Sequence, residues 1–189
     1  MDALLTSTAV VALAEIGDKT MLLAIVLAAR FRRPLPVVLG ILVATLANHA
    51  IAAWLGQAVA GLLDGAWFRY AVGAGFIAMA AWTLVPDKLD AEDAPRPARY
   101  GAFLTTLIAF FIVEMGDKTQ IATIALGARY QDLVAVAAGT TIGMMIANVP
   151  AVFLGDRIVE KVPLKTVRVI AALLFLAIGI WVFVETALR

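Results

Sequence analysis

The chain has no cysteine and a single histidine, His49, among its 189 residues. The lack of cysteine excludes disulfides, thiolate metal sites and cysteine nucleophiles. Charge is sparse as well: Asp, Glu, Lys and Arg make up 15% of the residues, and the net charge is +1. The Lys and Arg residues scatter into short loops instead of forming a basic face, which argues against a nucleic-acid partner. The opening run, MDALLTSTAVVALAEIGD, lacks the basic start and small-residue cleavage site of a removable signal peptide. It is expected to be retained as a first span.

What the chain has in abundance is apolar surface. Hydrophobic residues make up 63% of it and the mean hydropathy is +0.96, more than one soluble core could bury. The sequence therefore predicts an all-α integral membrane protein. Hydrophobic runs and their punctuation predict six helices, over 3–29, 35–62, 67–85, 101–128, 133–156 and 166–187. Several exceed the roughly 20 residues that a perpendicular span requires, so tilt or a break is expected in them.

Inside two of these runs stand charges. EIGDKT occupies Glu15 to Thr20, and 99 residues later EMGDKT occupies Glu114 to Thr119. At an offset of 99, without a gap, Arg30 also pairs with Arg129, Gly40 with Gly139, Gly56 with Gly155, Arg69 with Arg168 and Trp82 with Trp181. A register held across three helices indicates a duplicated three-helix unit. The expected organisation is a first repeat over 1–85, a cytoplasmic linker over 86–100 and a second repeat over 101–189, together forming one membrane domain.

An odd number of helices per unit makes the second copy enter the membrane from the opposite side, giving two inverted three-helix repeats. Loops one, three and five carry ten Lys and Arg residues, against Arg69, Arg129 and Arg189 on the other side. That asymmetry predicts both termini outside and the linker in the cytoplasm. Trp82 and Trp181 are expected at opposite interfaces.

An ionisable side chain at the centre of a membrane helix costs about 2.5–3.5 kcal/mol, so the six charges of the two motifs would cost roughly 15–20 kcal/mol facing lipid. They must face an interior. Glu and Asp at i and i+3 share a helix face, and Gly17 and Gly116 between them permit close helix approach or a local break. If the first and fourth helices pack together, Glu15, Asp18, Glu114 and Asp117 converge near a pseudo-twofold axis. Four carboxylates in one dry cavity repel unless a cation or protons neutralise them. Lys19 and Lys118 leave about two negative charges, which a divalent ion would balance.

With Thr20, Thr119, Gln120, Asn48 and Asn148 as helpers, this oxygen set suits Mn²⁺, Ca²⁺ or Mg²⁺ and fits Cu⁺ or Zn²⁺ poorly. Proton-coupled cation exchange follows from the same crowding. His49, aligned with Asn148, is either a gate or proton-relay group or a helix-to-helix hydrogen bond. Gly73, Gly75 and Gly139 are expected to be close-packing positions. Buried ion pairs that only fix helix packing are the plain alternative, weakened by a motif that supplies twice as many acids as bases.

Two copies of E-x-G-D-K-[ST], each in the first helix of a half, resemble the cation/proton exchanger family of Golgi-type manganese and calcium transporters and bacterial manganese exporters, within the lysine-exporter superfamily. The resemblance covers essentially the whole chain. It implies export of Mn²⁺, or Ca²⁺ in some members, from the cytosol in exchange for protons, with no prosthetic group. It implies that Glu15, Gly17, Asp18, Lys19 and Thr20, with Glu114, Gly116, Asp117, Lys118 and Thr119, carry the function. The short linker matches the compact bacterial form and implies a bacterial inner membrane. Its partners would be the ion, the proton and lipid, with self-association left open.

Three other readings compete. An intramembrane aspartyl protease would use Asp18 and Asp117, but the Lys after each favours ionising both acids where a dyad must share a proton. A structural role would tie the acids to stability alone. An amino acid exporter would have its substrate's carboxylate repelled by the excess acid.

Overall fold

The computed structural model describes residues 2–63, 65–86, 100–155 and 162–188. Within them are eight helices and no strand: α1 (Asp2–Glu15), α2 (Lys19–Phe31), α3 (Pro34–Leu62), α4 (Ala66–Thr83), α5 (Ala102–Glu114), α6 (Lys118–Tyr130), α7 (Leu133–Leu154) and α8 (Leu164–Ala187). Helices are the form in which an apolar segment satisfies its own backbone hydrogen bonds without water. By length and composition α3, α7 and α8 are able to cross a bilayer, and α5 is a shorter apolar helix. Large apolar side chains lie exposed along several helices, among them Leu35, Leu39 and Leu46 on α3 and Val134, Ile142 and Ile146 on α7. A surface of that kind belongs against lipid.

The two motif-bearing runs, over 3–29 and 101–128, are each broken into two helices, α1 with α2 and α5 with α6, the break being one of the outcomes that their length and the motif glycines allow. The cause is the glycine of each motif. Gly17 has φ +85° and Gly116 φ +81°, a left-handed conformation that an α-helix cannot contain. The chain restarts at once, because Asp18 and then Asp117 take extended backbone and stand just before the first residue of α2 and of α6. The linker from 87 to 99, together with the loop charges Lys88, Arg96, Arg99, Arg157 and Lys161, lies outside the described residues.

The backbone repeats at the sequence offset. Arg32 and Gln131, which close α2 and α6, are the two non-glycine residues with positive φ among those described, at 50° and 51°. Phe76 of α4 and Phe175 of α8 are also offset partners, and their buried rings meet at 6.4 Å. Contacts between helices come in matching pairs as well: α1 packs on α7 as α5 packs on α3, and α2 on α7 as α6 on α3. The main neighbours of the motif helices are therefore the long helices of the other half. α1 also touches α6, and α2 touches α5, which brings the two breaks together.

Glycine sets how closely these pairs approach. A Cβ on Gly40 of α3 would stand 2.8 Å from the Phe103 carbonyl and 2.8 Å from Thr106 Cβ. On Gly139 of α7 it would stand 2.5 Å from the Leu4 carbonyl and 2.9 Å from Ser7 Cβ, the equivalent contacts one repeat away. Thr8 Oγ1 adds a hydrogen bond across this seam, donated to the Gly139 carbonyl at 3.1 Å. Gly73 is likewise packed, against Phe183, whereas a Cβ on Gly75 would meet nothing within 4 Å among the described residues, so the close-packing expectation fails there. Gly139→Val is expected to destabilise the fold by about 1–3 kcal/mol through overpacking, while Gly75→Ala leaves it unchanged. Thermal unfolding in detergent compares the two; equal midpoints would refute the seam.

Candidate functional site

Each break places a glutamate at the end of one helix and an aspartate just before the next. Glu15 and Glu114 are the last residues of α1 and α5, both fully buried, and Asp18 and Asp117 are each 5% exposed. The turn is closed by backbone bonds, Asp18 N–H to the Glu15 carbonyl at 3.0 Å and Asp117 N–H to the Glu114 carbonyl at 3.2 Å. The aspartate side chains do not cap their helices.

Three of the motif acids meet groups from the other half. Thr119 Oγ1 donates to Glu15 Oε2 at 2.9 Å. Lys19 Nζ stands 3.6 Å from Asp117 Oδ1. His49 Nε2 of α3 stands 3.6 Å from Glu114 Oε2, with both side chains fully buried. The Glu15, Glu114 and Asp117 carboxylates lie close enough to interact through charge, and the Asn148 amide lies beside Glu15. Lys118, 6% exposed, donates to the Val85 carbonyl at 3.1 Å and lies over the Trp82 ring at 5.9 Å. Asp18 and Lys118 line one small cavity together with Gly17, Thr83 and Arg168. In this conformation the acids share a polar layer and not one coordination sphere: among the described residues, no three His, Asp or Glu side chains are grouped closely enough to hold a metal ion.

The two copies are not used alike. Thr119 engages Glu15, but the hydroxyl of its offset partner Thr20 is buried without a hydrogen-bond partner among the described residues. Gln120 Oε1 accepts the Gly116 N–H at 2.7 Å and so braces the second turn, where the first copy has Met21. Asn48 donates to the Phe111 carbonyl at 3.0 Å and ties α3 to α5. Asn148 donates to the Met144 carbonyl at 3.1 Å. Leu164, at the start of α8, covers the first turn, its Cδ2 only 2.8 Å from where a Gly17 Cβ would be. A Cβ on Gly116, in the second turn, would meet nothing within 4 Å among the described residues.

Sequence reasoning missed Leu164, Arg168 and the Val85 carbonyl. Arg168 carries a signal, its register with Arg69, but in the sequence it counts only as one of the charges of the fifth loop. A carbonyl leaves no trace in side-chain chemistry, so Val85 had none.

The helices of the described residues, with an apolar exterior and a buried, interlaced layer of acids and lysines, are those of an integral membrane protein of the transporter kind. The chain belongs to the family described as divalent cation/proton antiporter GDT1, which it matches over residues 3–91 and 102–189. It is 49% identical over 181 residues to a Vibrio cholerae protein named "Putative manganese exporter", covering 95% of this chain and 90% of that one. It is also 30% identical to GDT1-like protein 3 of Arabidopsis thaliana, across 95% of this chain and 69% of the relative. A GDT1-like protein of Synechocystis is 31% identical, across 87% and 88%. No solved structure matches. The family is one of transporters and not of enzymes.

Proposed function

We propose that this protein is a secondary antiporter that exports Mn²⁺ from the cytoplasm of a bacterium, across its inner membrane, in exchange for protons. The observation that carries the reading is the interlacing of the two motif breaks. Glu15 is held by Thr119, and Asp117 by Lys19, so each half completes the polar layer of the other. The kinship to a protein named for manganese export favours Mn²⁺ over Ca²⁺ as cargo.

In this reading the chain is two inverted three-helix repeats, 1–85 and 101–189, joined by a cytoplasmic linker over 86–100, with both termini outside. The broken helices α1–α2 and α5–α6 each count as one span, which gives six. Two matched segments of one family, and equivalent phenylalanines meeting at 6.4 Å, support that arrangement. Glu15, Asp18, Glu114 and Asp117 bind the ion in turn with protons. Lys19 and Lys118 neutralise and orient the acids, Thr20, Thr119 and Asn148 are further oxygens near the carboxylates, and Asn48 and Gln120 hold the backbone that presents them.

Exchange follows from charge. Two lysines offset half of the four carboxylates, so the layer is near neutral with a divalent ion bound or with protons bound, and unfavourable with neither. An empty, fully charged layer is therefore not the form that changes sides, which couples the two fluxes. The unequal surroundings of the turns support alternating access: Leu164 packs against Gly17, while a Cβ on Gly116 would meet nothing within 4 Å among the described residues.

The test is proton flux in proteoliposomes loaded with a pH dye. External Mn²⁺ is expected to make the lumen more alkaline as protons leave, with a smaller response to Ca²⁺ and none in empty liposomes. A folded protein that moves no protons with any divalent ion would end the antiporter reading.

A further inference from the structure

Building on the reading of the acids as the ion site, we propose that His49 is a direct ligand of the transported ion and sets the preference for Mn²⁺ over Ca²⁺. His49 lies mid-way along α3 and is fully buried, and neither ring nitrogen has a hydrogen-bond partner among the described residues. The carboxylate it faces is in the same condition: both Glu114 oxygens are buried without a hydrogen-bond partner there. A helix-to-helix hydrogen bond, the plain role for a buried histidine, is thus not what holds this ring.

The separation fits a shared ion. At 3.6 Å, His49 Nε2 and Glu114 Oε2 are too far apart for a good hydrogen bond. Adjacent ligands of one octahedral ion, each at about 2.1 Å, stand about 3.0 Å apart, so a shift of under about 1 Å brings this pair to coordinating distance. Further ligands would come from the carboxylates in charge contact with Glu114, of which Asp117 is one.

The choice of element follows from the exchange between halves. The offset partner of His49 is Asn148, which lies beside Glu15, the partner of Glu114. One glutamate thus faces an amide of the other half, and its offset partner faces an imidazole. Ca²⁺ and Mg²⁺ are bound almost wholly by oxygen. Imidazole nitrogen suits first-row transition ions, while carboxylates suit Mn²⁺ together with Mg²⁺ and Ca²⁺. An oxygen-rich layer with one nitrogen therefore favours Mn²⁺, which accepts both donor types, over ions that accept only one.

The experiment is pulsed electron paramagnetic resonance of Mn²⁺ added to the full-length protein in detergent, wild type and His49→Asn, with Mn²⁺ and Ca²⁺ titrations of both. The wild type is expected to show ¹⁴N modulation from a directly bound imidazole. His49→Asn, which repeats the donor of the other half, should lose it. Mn²⁺ affinity should fall roughly 10–100-fold, as on disturbing a ligand shell, with Ca²⁺ affinity within about twofold of wild type. His49→Gln supplies the same comparison if the first variant folds poorly. Absence of the nitrogen signal from Mn²⁺ bound to the wild type, or an equal loss of both ions in the variants, would overturn the assignment. Nitrogen-coordinated Mn²⁺ in a protein that moves no protons would leave His49 as a ligand and remove the antiporter reading instead.

Discussion

Glu15→Gln is expected to abolish Mn²⁺-driven proton movement while leaving the protein folded. The carboxylate is fully buried, one oxygen takes the Thr119 hydroxyl at 2.9 Å, and the other has no hydrogen-bond partner among the described residues. Glutamine has the same shape, and its amide oxygen can accept the same hydroxyl, so packing survives. What goes is the charge. Even at an effective dielectric of about 20, a pair of unit charges about 4 Å apart is worth about 4 kcal/mol. Affinity for a divalent ion should fall on the order of 1,000-fold or more. An amide also cannot carry the returning proton, so both fluxes should stop together in the dye-loaded liposomes, with a thermal midpoint close to wild type. Exchange at the wild-type rate would remove Glu15 from the ion site.

How far the sequence announces this molecule depends on the scale. The duplication is visible as spacing, because a register of 99 residues needs no structure to be seen, and the matched turns at Gly17 and Gly116 follow it in space. The breaks themselves are legible only as one possibility, from runs longer than a span and the glycine of each motif. Hydrophobic residues run on through both sides of EIGDKT and EMGDKT, no proline interrupts them, and a glycine declares only that a positive φ is permitted. The residues of the polar layer were readable as charges that could not face lipid. Their partners were not, because an offset pairs like with like, Glu15 with Glu114, while packing pairs unlike groups, Glu15 with Thr119 and Lys19 with Asp117. The differences between the copies were equally hidden. Thr20 and Thr119 read the same in the sequence, and only their surroundings make one a donor to a carboxylate.

The contact between Lys19 and Asp117 separates a site from a brace. Asp117 is 5% exposed, and Oδ2, the oxygen away from Lys19, has no hydrogen-bond partner among the described residues. Lys19→Met should leave a largely buried carboxylate without its ammonium and destabilise the protein by about 2–3 kcal/mol, less than a fully buried pair would lose because Lys19 is 22% exposed. Asp117→Asn added to it removes the orphaned charge and should restore most of that loss, giving a coupling of about 1–2 kcal/mol in the double-mutant cycle. Proton flux should not follow stability. If Asp117 binds the ion, exchange stays absent in the refolded double variant, because the amide replaces a ligand and a proton carrier. Were the pair only a brace between α2 and α6, the same substitution would restore exchange along with the fold. Unfolding and flux measured on the three variants therefore divide the two roles: recovery of both assigns the pair to packing, and recovery of stability alone assigns Asp117 to the ion.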